Sequence, residues 1–270
     1  MDTMQAYGQG PATPPLIRRI VPVLWAIVIL SVVFAGLIFV IPLDSYRLAG
    51  NTLEVMVALF CMGCCLYAYC TGYCRVFLLL AAFAFFSYAL STTFWYLYSI
   101  TFGRLSVFTT VSELGFLCFF LFFIAAISLE FRDEGLNRSR SGALLLLFLA
   151  IPVIALWAGG DHQPLRVALL FISFVIIEQL IATSIRYGVY RYPVLWAGIC
   201  LRCLGWMIYY VRESIFTVYP VPLASDLTPS LLTLYDLMSL VGPVIIGSMA
   251  LMQIGIFSYL AESSASPEKC

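Results

Sequence analysis

Charge is scarce in this chain. Only 10% of its 270 residues are charged, against roughly 25% in ordinary soluble domains, which is too little polar surface to clothe a water-facing domain of any size. The 14 basic and 14 acidic side chains cancel, so the basic footprint that a nucleic-acid partner requires is missing. There is one lysine, Lys269, and one histidine, His162. A retinal Schiff base needs a lysine inside the bundle and a bis-histidine haem needs two histidines, so neither chemistry fits. His162 lies in the short connection Gly159-Gly-Asp-His-Gln-Pro164 and reads as a solvated loop residue. No Gly-x-Gly-x-x-Gly or Walker sequence opens a helix, and one loop histidine cannot build a Ser-His-Asp set. The first apolar segment, Ile17 to Val40, lacks a small-residue cleavage site and is too long for a signal peptide, so it reads as retained. No cofactor, metal or catalytic set is expected.

What is present is hydrocarbon. Hydrophobic residues make up 63% of the chain, and they fall into eight segments near 18–41, 53–71, 76–100, 107–130, 141–158, 164–186, 193–218 and 230–260. Each is close to the roughly 20 apolar residues that cross a bilayer as a helix. In lipid every backbone polar group must be satisfied internally, which leaves helices as the solution. The expected fold is therefore an all-α polytopic membrane bundle of eight transmembrane helices. Residues 1–16 and 261–270 read as disordered cytoplasmic tails around a single domain, 17–260, with halves 17–130 and 141–260. Placing both termini in the cytoplasm puts Arg18, Arg19, Arg75, Arg132, Arg138, Arg140, Arg186, Arg191 and Lys269 inside, and Arg47, Arg104 and Arg166 outside. That asymmetry follows the positive-inside rule.

The two halves echo each other. Thr110-Val-Ser-Glu-Leu-Gly-Phe-Leu117 and Thr233-Leu-Tyr-Asp-Leu-Met-Ser-Leu240 share the pattern Thr-x-x-acid-Leu-x-x-Leu. Leu53-Glu-Val55 matches Leu165-Arg-Val167, and Trp95-Tyr-Leu-Tyr98 parallels Trp206-Met-Ile-Tyr209. An even number of spans in each half gives the copies one orientation, as in a parallel four-plus-four repeat about the membrane normal.

Ionisable side chains inside a span cost about 2.5–3.5 kcal/mol on insertion scales, so they face the bundle interior and mark function. Glu178 and Arg202 lie at matching depth, roughly 13 Å from the cytoplasmic ends of their helices, and are expected to form an ion pair that fixes register or couples transport. Glu113, Arg212, Glu213 and Asp236 fall in one outer layer, roughly 8–10 Å down. With Trp95, Tyr98 and Tyr209 they would wall an outward-facing polar and aromatic pocket, the usual form of a small-ligand site. Three acids against one arginine favour a polar or cationic ligand. The structural alternative is that Glu113 and Asp236 merely complement helix N-termini.

Five of the nine cysteines, Cys61, Cys64, Cys65, Cys70 and Cys74, lie along the second span. Helical spacing would allow a soft-metal ladder, but buried cysteines that let helices approach are the preferred reading. Cys200-Leu-Arg-Cys203 is read the same way, because it lies mid-span. The outer loops contain no cysteine, and no structural disulfide is expected.

The stretch Ser91-Thr-Thr-Phe-Trp95-Tyr-Leu-Tyr98, a short outer loop, and Ser112-Glu113-Leu114 resemble the multi-helix membrane input domains that precede diguanylate cyclase or histidine kinase modules in bacteria. The likeness covers spans two to four and six to eight. It implies a sensor-like protein of a bacterial plasma membrane. This chain departs from the pattern after Leu260, where ten residues remain, so the signal would pass to a separate cytoplasmic partner. The loop Phe131 to Ser141, with three arginines and two acids, is the expected contact. The alternative function is a secondary transporter of a small solute. A membrane enzyme acting on lipid-linked substrates would need a reactive constellation that the chain lacks.

Overall fold

Because hydrocarbon offers no hydrogen bonds, the backbone of this chain closes its own, and the elements are those that a closed ladder allows. The computed structural model describes residues 15–40, 43–73, 75–102, 109–131, 164–218 and 240–265. Among the described residues every element is helical: α1 Pro15–Gly36, α2 Leu43–Ala68, α3 Val76–Phe102, α4 Thr109–Glu130, α5 Pro164–Arg186, α6 Pro193–Val218 and α7 Val241–Ala265. Three of them open on proline, where the missing N–H falls among donors that have no intrahelical partner anyway. A single π turn, Tyr69–Tyr73, ends α2. Between α5 and α6 the chain turns at Gly188, whose φ of 73° is the left-handed conformation glycine adopts without a Cβ clash. Its N–H donates to Ile185 O at 3.2 Å. Pro193 then starts α6, so six residues after Arg186 suffice for the connection.

Four helical stretches are long and apolar enough to cross a bilayer: Arg18–Gly36, Leu48–Thr71, Val76–Leu97 and Val241–Ser263. They mark an integral membrane protein. Helix and apolar run are not the same thing, and α2 shows it. The helix begins at Leu43, ten residues before the expected boundary, because Asp44 to Thr52 is polar yet fully helical. The expected fifth span, 141–158, and the expected first residues of the last span, 230–239, lie outside the described residues.

Helix α7 is the spine of the packing. It lies against α6, α1 and α2; α2 in turn packs on α3, α3 on α4, and α4 on α5. In the crossing windows 78% of α7 is buried against 17% of α1, so α1 presents Ile29, Val32 and Val33 outward, towards lipid. Without a hydrophobic drive between helices in lipid, close approach depends on small residues. A Cβ on Gly198 of α6 would meet Met252 N of α7 at 2.6 Å, and one on Gly255 of α7 would fall on the Leu195 backbone. These two glycines let α6 and α7 touch backbone to backbone. The interior between α3 and α4 is filled instead by Phe85, Phe119, Phe120 and Phe123 against Ala81, Ala84 and Ala126.

Replacing Gly255 by alanine should therefore push α6 off α7 and lower the melting midpoint in nanodiscs, at an overpacking cost of about 1–3 kcal/mol. Gly63→Ala, where nothing lies within 4 Å of the new methyl, should leave the midpoint unchanged or raise it slightly. An unshifted Gly255→Ala midpoint would contradict the backbone contact.

Candidate functional site

Among the described residues ten polar or charged ones are buried; three of these are ionisable, and two of the three meet the same aromatic ring. Glu54 of α2 is 7% exposed and Arg202 of α6 is 0% exposed. Tyr88 of α3 stands between them. Its hydroxyl donates to Glu54 Oε2, while the Arg202 guanidinium carbon lies over its ring, 4.0 Å from the centroid. The guanidinium carbon also lies 4.4 Å from the Phe119 ring of α4 and 5.8 Å from the Trp206 ring. Four helices thus send side chains to one point. The site sits roughly 18 Å along α3 from its start, twelve residues at about 1.5 Å each, which is within the hydrocarbon core.

Sequence spacing explains how α3 and α6 reach it. Tyr88, Thr92 and Trp95 follow i, i+4, i+7, and so do Arg202, Trp206 and Tyr209, so each set lies on one face of its helix. Trp206 is buried and packs on Phe116 at 4.5 Å and Tyr209 at 4.9 Å between ring centroids. On α2, a Cβ at Gly242 of the neighbouring α7 would come 3.2 Å from Glu54 Oε1. The glycine gives the carboxylate its room.

The expected Glu178–Arg202 ion pair is not formed. Glu178 is buried, at 2% exposed, but its hydrogen bond comes from Gln179 Nε2 at 3.3 Å. Helix α5 packs chiefly on α4, so equal depth does not make the two residues face each other, and Arg202 turns inward to the rings. Among the described residues the one ion pair is Arg75 with Glu130. There Tyr259 of α7 donates to Glu130 Oε1 at 2.8 Å, and Arg75 Nη1 donates to the Tyr259 hydroxyl oxygen at 3.4 Å. Phe77, Phe131 and Tyr192 ring this second cluster. It ties the start of α3, the end of α4 and α7 together at the root of the loop that follows Phe131.

Of the expected outer pocket, Trp95 and Tyr209 are half-buried on their helices. Tyr98, Glu113, Arg212 and Glu213 have their backbone in helices but their side chains lie outside the described ones, and Asp236 lies outside the described residues. Of the span-two cysteines, Cys61, Cys64 and Cys65 pack inward, Cys70 is exposed and Cys74 lies outside the described residues: Cys61 Sγ lies 3.8 Å from Met249 O, and Cys65 Sγ lies 3.1 Å from Gln253 Oε1. A groove of 260 Å³ opens between α1 and α2, with walls that include Leu30, Phe34, Leu53 and Met56. Its Ser31 hydroxyl is bonded to Val28 O at 2.7 Å, so the groove offers hydrocarbon contact and no polar recognition. Glu54 and Tyr88 were missed by sequence reasoning, and the signal was the shared seven-residue spacing of the two faces.

No protein-family model, no curated protein and no solved structure matches the chain. The site therefore rests on its own chemistry.

Tyr88→Phe removes the donor to a buried carboxylate without emptying the core. The expected loss is about 1–3 kcal/mol of stability, read as a lower melting midpoint in nanodiscs. Tyr190→Phe, at an exposed turn, should stay within about 0.5 kcal/mol of the parent. Equal midpoints for the two variants would remove the Glu54 hydrogen bond from the account.

Proposed function

We propose that the chain is an eight-span protein of a bacterial plasma membrane, built as a parallel four-plus-four repeat with both termini cytoplasmic. It binds a small ligand in an outward-facing polar and aromatic chamber and passes occupancy to a separate signalling partner. The observation that carries this reading is the contact of Arg202 with Tyr88 and Phe119. It joins a charged side chain of the second half to the aromatic face of the first. Trp95 and Tyr209 each lie seven residues further along those faces, roughly 10 Å towards the outer end, and form the chamber's walls above this floor. Glu113, Arg212, Glu213, Asp236 and Tyr98 supply its polar lining.

A ligand arriving at the floor changes what Arg202 contacts, and so biases the position of α6 relative to α3 and α4. A bistable element biased by a ligand is the physical content of a switch. At the opposite end the Arg75–Glu130–Tyr259 cluster links α3, α4 and α7 beside the Phe131 to Ser141 loop, where the partner reads the change.

A carrier is the second reading, favoured by one observation: Glu54 and Arg202 are both enclosed within the helices rather than at the mouth. Ion pathways and proton relays use such groups. In that case Glu54→Gln, and not Glu178→Gln, abolishes proton-coupled uptake into vesicles.

The chamber is tested by accessibility. Cysteines placed at Trp95 and Tyr209 should react with a membrane-impermeant maleimide added outside intact cells, above the background of the parent chain. The native Cys70, exposed at the other end of the bundle, should react only after permeabilisation. Labelling of neither engineered cysteine from outside would contradict an outward chamber.

A further inference from the structure

Arg202 is wholly enclosed, yet its Nε, Nη1 and Nη2 atoms have no hydrogen-bond partner. A guanidinium carries five N–H donors around its rim and none on its faces. Here three aromatic rings surround it: Tyr88 and Phe119 lie 4.0 and 4.4 Å from the central carbon, and Trp206 lies 5.8 Å away. Cation–π attraction stabilises the charge, but it leaves the N–H donors unmet. The buried carboxylates within the described helices are already engaged, Glu54 by the Tyr88 hydroxyl and Glu178 by Gln179. An enclosed cation with an unmet rim in hydrocarbon is costly unless an acceptor completes it.

We propose that Arg202 is the recognition residue for a small organic monocarboxylate, which reaches it through the chamber inferred above and rests on that reading. The class follows from geometry and charge. The rings packed beside it hold the guanidinium in place and leave its N–H donors unmet, and a planar pair of oxygens meets such a fork with two parallel hydrogen bonds. Glu54, held by the Tyr88 hydroxyl, already sets one negative charge near the guanidinium and disfavours a doubly charged ligand, so a monoanion is accepted ahead of inorganic phosphate. Phe116 and Trp206, packed on one another at 4.5 Å between ring centroids, make the surroundings of that fork apolar, which suits an organic body better than a bare inorganic anion. A cationic ligand, suggested by the acids of the outer layer, would meet a like charge at the floor.

The test uses the full chain in nanodiscs, with thermal unfolding and tryptophan fluorescence followed against acetate, benzoate, acetamide, benzamide, benzylamine and inorganic phosphate. The expected result is saturable stabilisation by at least one carboxylate, with no saturation by its matching amide. Arg202→Lys keeps the charge and removes the planar fork, and should weaken that binding at least tenfold; Arg202→Gln should abolish it. If the glutamine variant does not fold, the lysine variant still decides. An amide, phosphate or benzylamine binding as well as the carboxylates, no saturation by either carboxylate, or an unweakened Arg202→Lys, would each overturn the assignment. None of these outcomes alters the external labelling of cysteines at Trp95 and Tyr209, on which the chamber itself depends.

Discussion

An arginine enclosed by hydrocarbon, with a carboxylate one tyrosine away, is the constraint around which the described helices are arranged. In water such groups separate at little cost. In a bilayer neither can be left alone, because desolvating an ion costs several kcal/mol even after relaxation. The chain answers with Tyr88, which gives its hydroxyl to Glu54 and its ring to Arg202. One side chain thereby serves two opposite charges on two different helices. The arrangement specifies how α2, α3 and α6 stand to one another more tightly than interchangeable apolar contacts would.

The rest of the packing makes that meeting reachable. Gly198 and Gly255 bring α6 and α7 into backbone contact, which places the Arg202 face across from α3 and α4. Gly242 leaves space for the Glu54 carboxylate. The phenylalanines of α4 fill the opposite wall, and one of them, Phe119, also lies against the guanidinium, 4.4 Å from its central carbon. Structure and chemistry use the same residues here, so stability and function are coupled at this point. Lower down, Arg75, Glu130 and Tyr259 make a second polar tie at the bundle's edge. The stretch between the two ties is mainly apolar and aromatic, broken by the contact of Cys65 with Gln253.

Much of the helix layout was legible in the sequence. Pro164 and Pro193 mark the starts of α5 and α6, Gly188 marks the turn between them, and the apolar runs of α3 and α4 agree with the observed ends to within two residues. Arg202 was legible as an anomaly, since a charge in a span always asks for an explanation. Its partner was not. Depth along a helix comes from counting residues, but facing depends on how helices are rotated and which neighbours they choose. Glu178 matched Arg202 in depth and sits on a helix turned to α4. Glu54 was hidden because the polar stretch from Asp44 to Thr52 made it look like the first turn of a helix that in fact begins at Leu43. Tyr88 read as one more core aromatic, and its role comes from residues 34 and 114 positions away in the chain. The outer acids, Glu113, Glu213 and Asp236, were argued from depth in the same way, and they belong to the proposal.

The most direct measurement of this account is a double-mutant cycle between Glu54→Gln and Arg202→Gln, followed by thermal unfolding of the full chain in nanodiscs. If the two charges share one site through Tyr88, removing both should cost less than the sum of the single losses by more than about 1 kcal/mol. Losses that add to within about 0.5 kcal/mol would show the residues to be independent, and the central site would not exist as described.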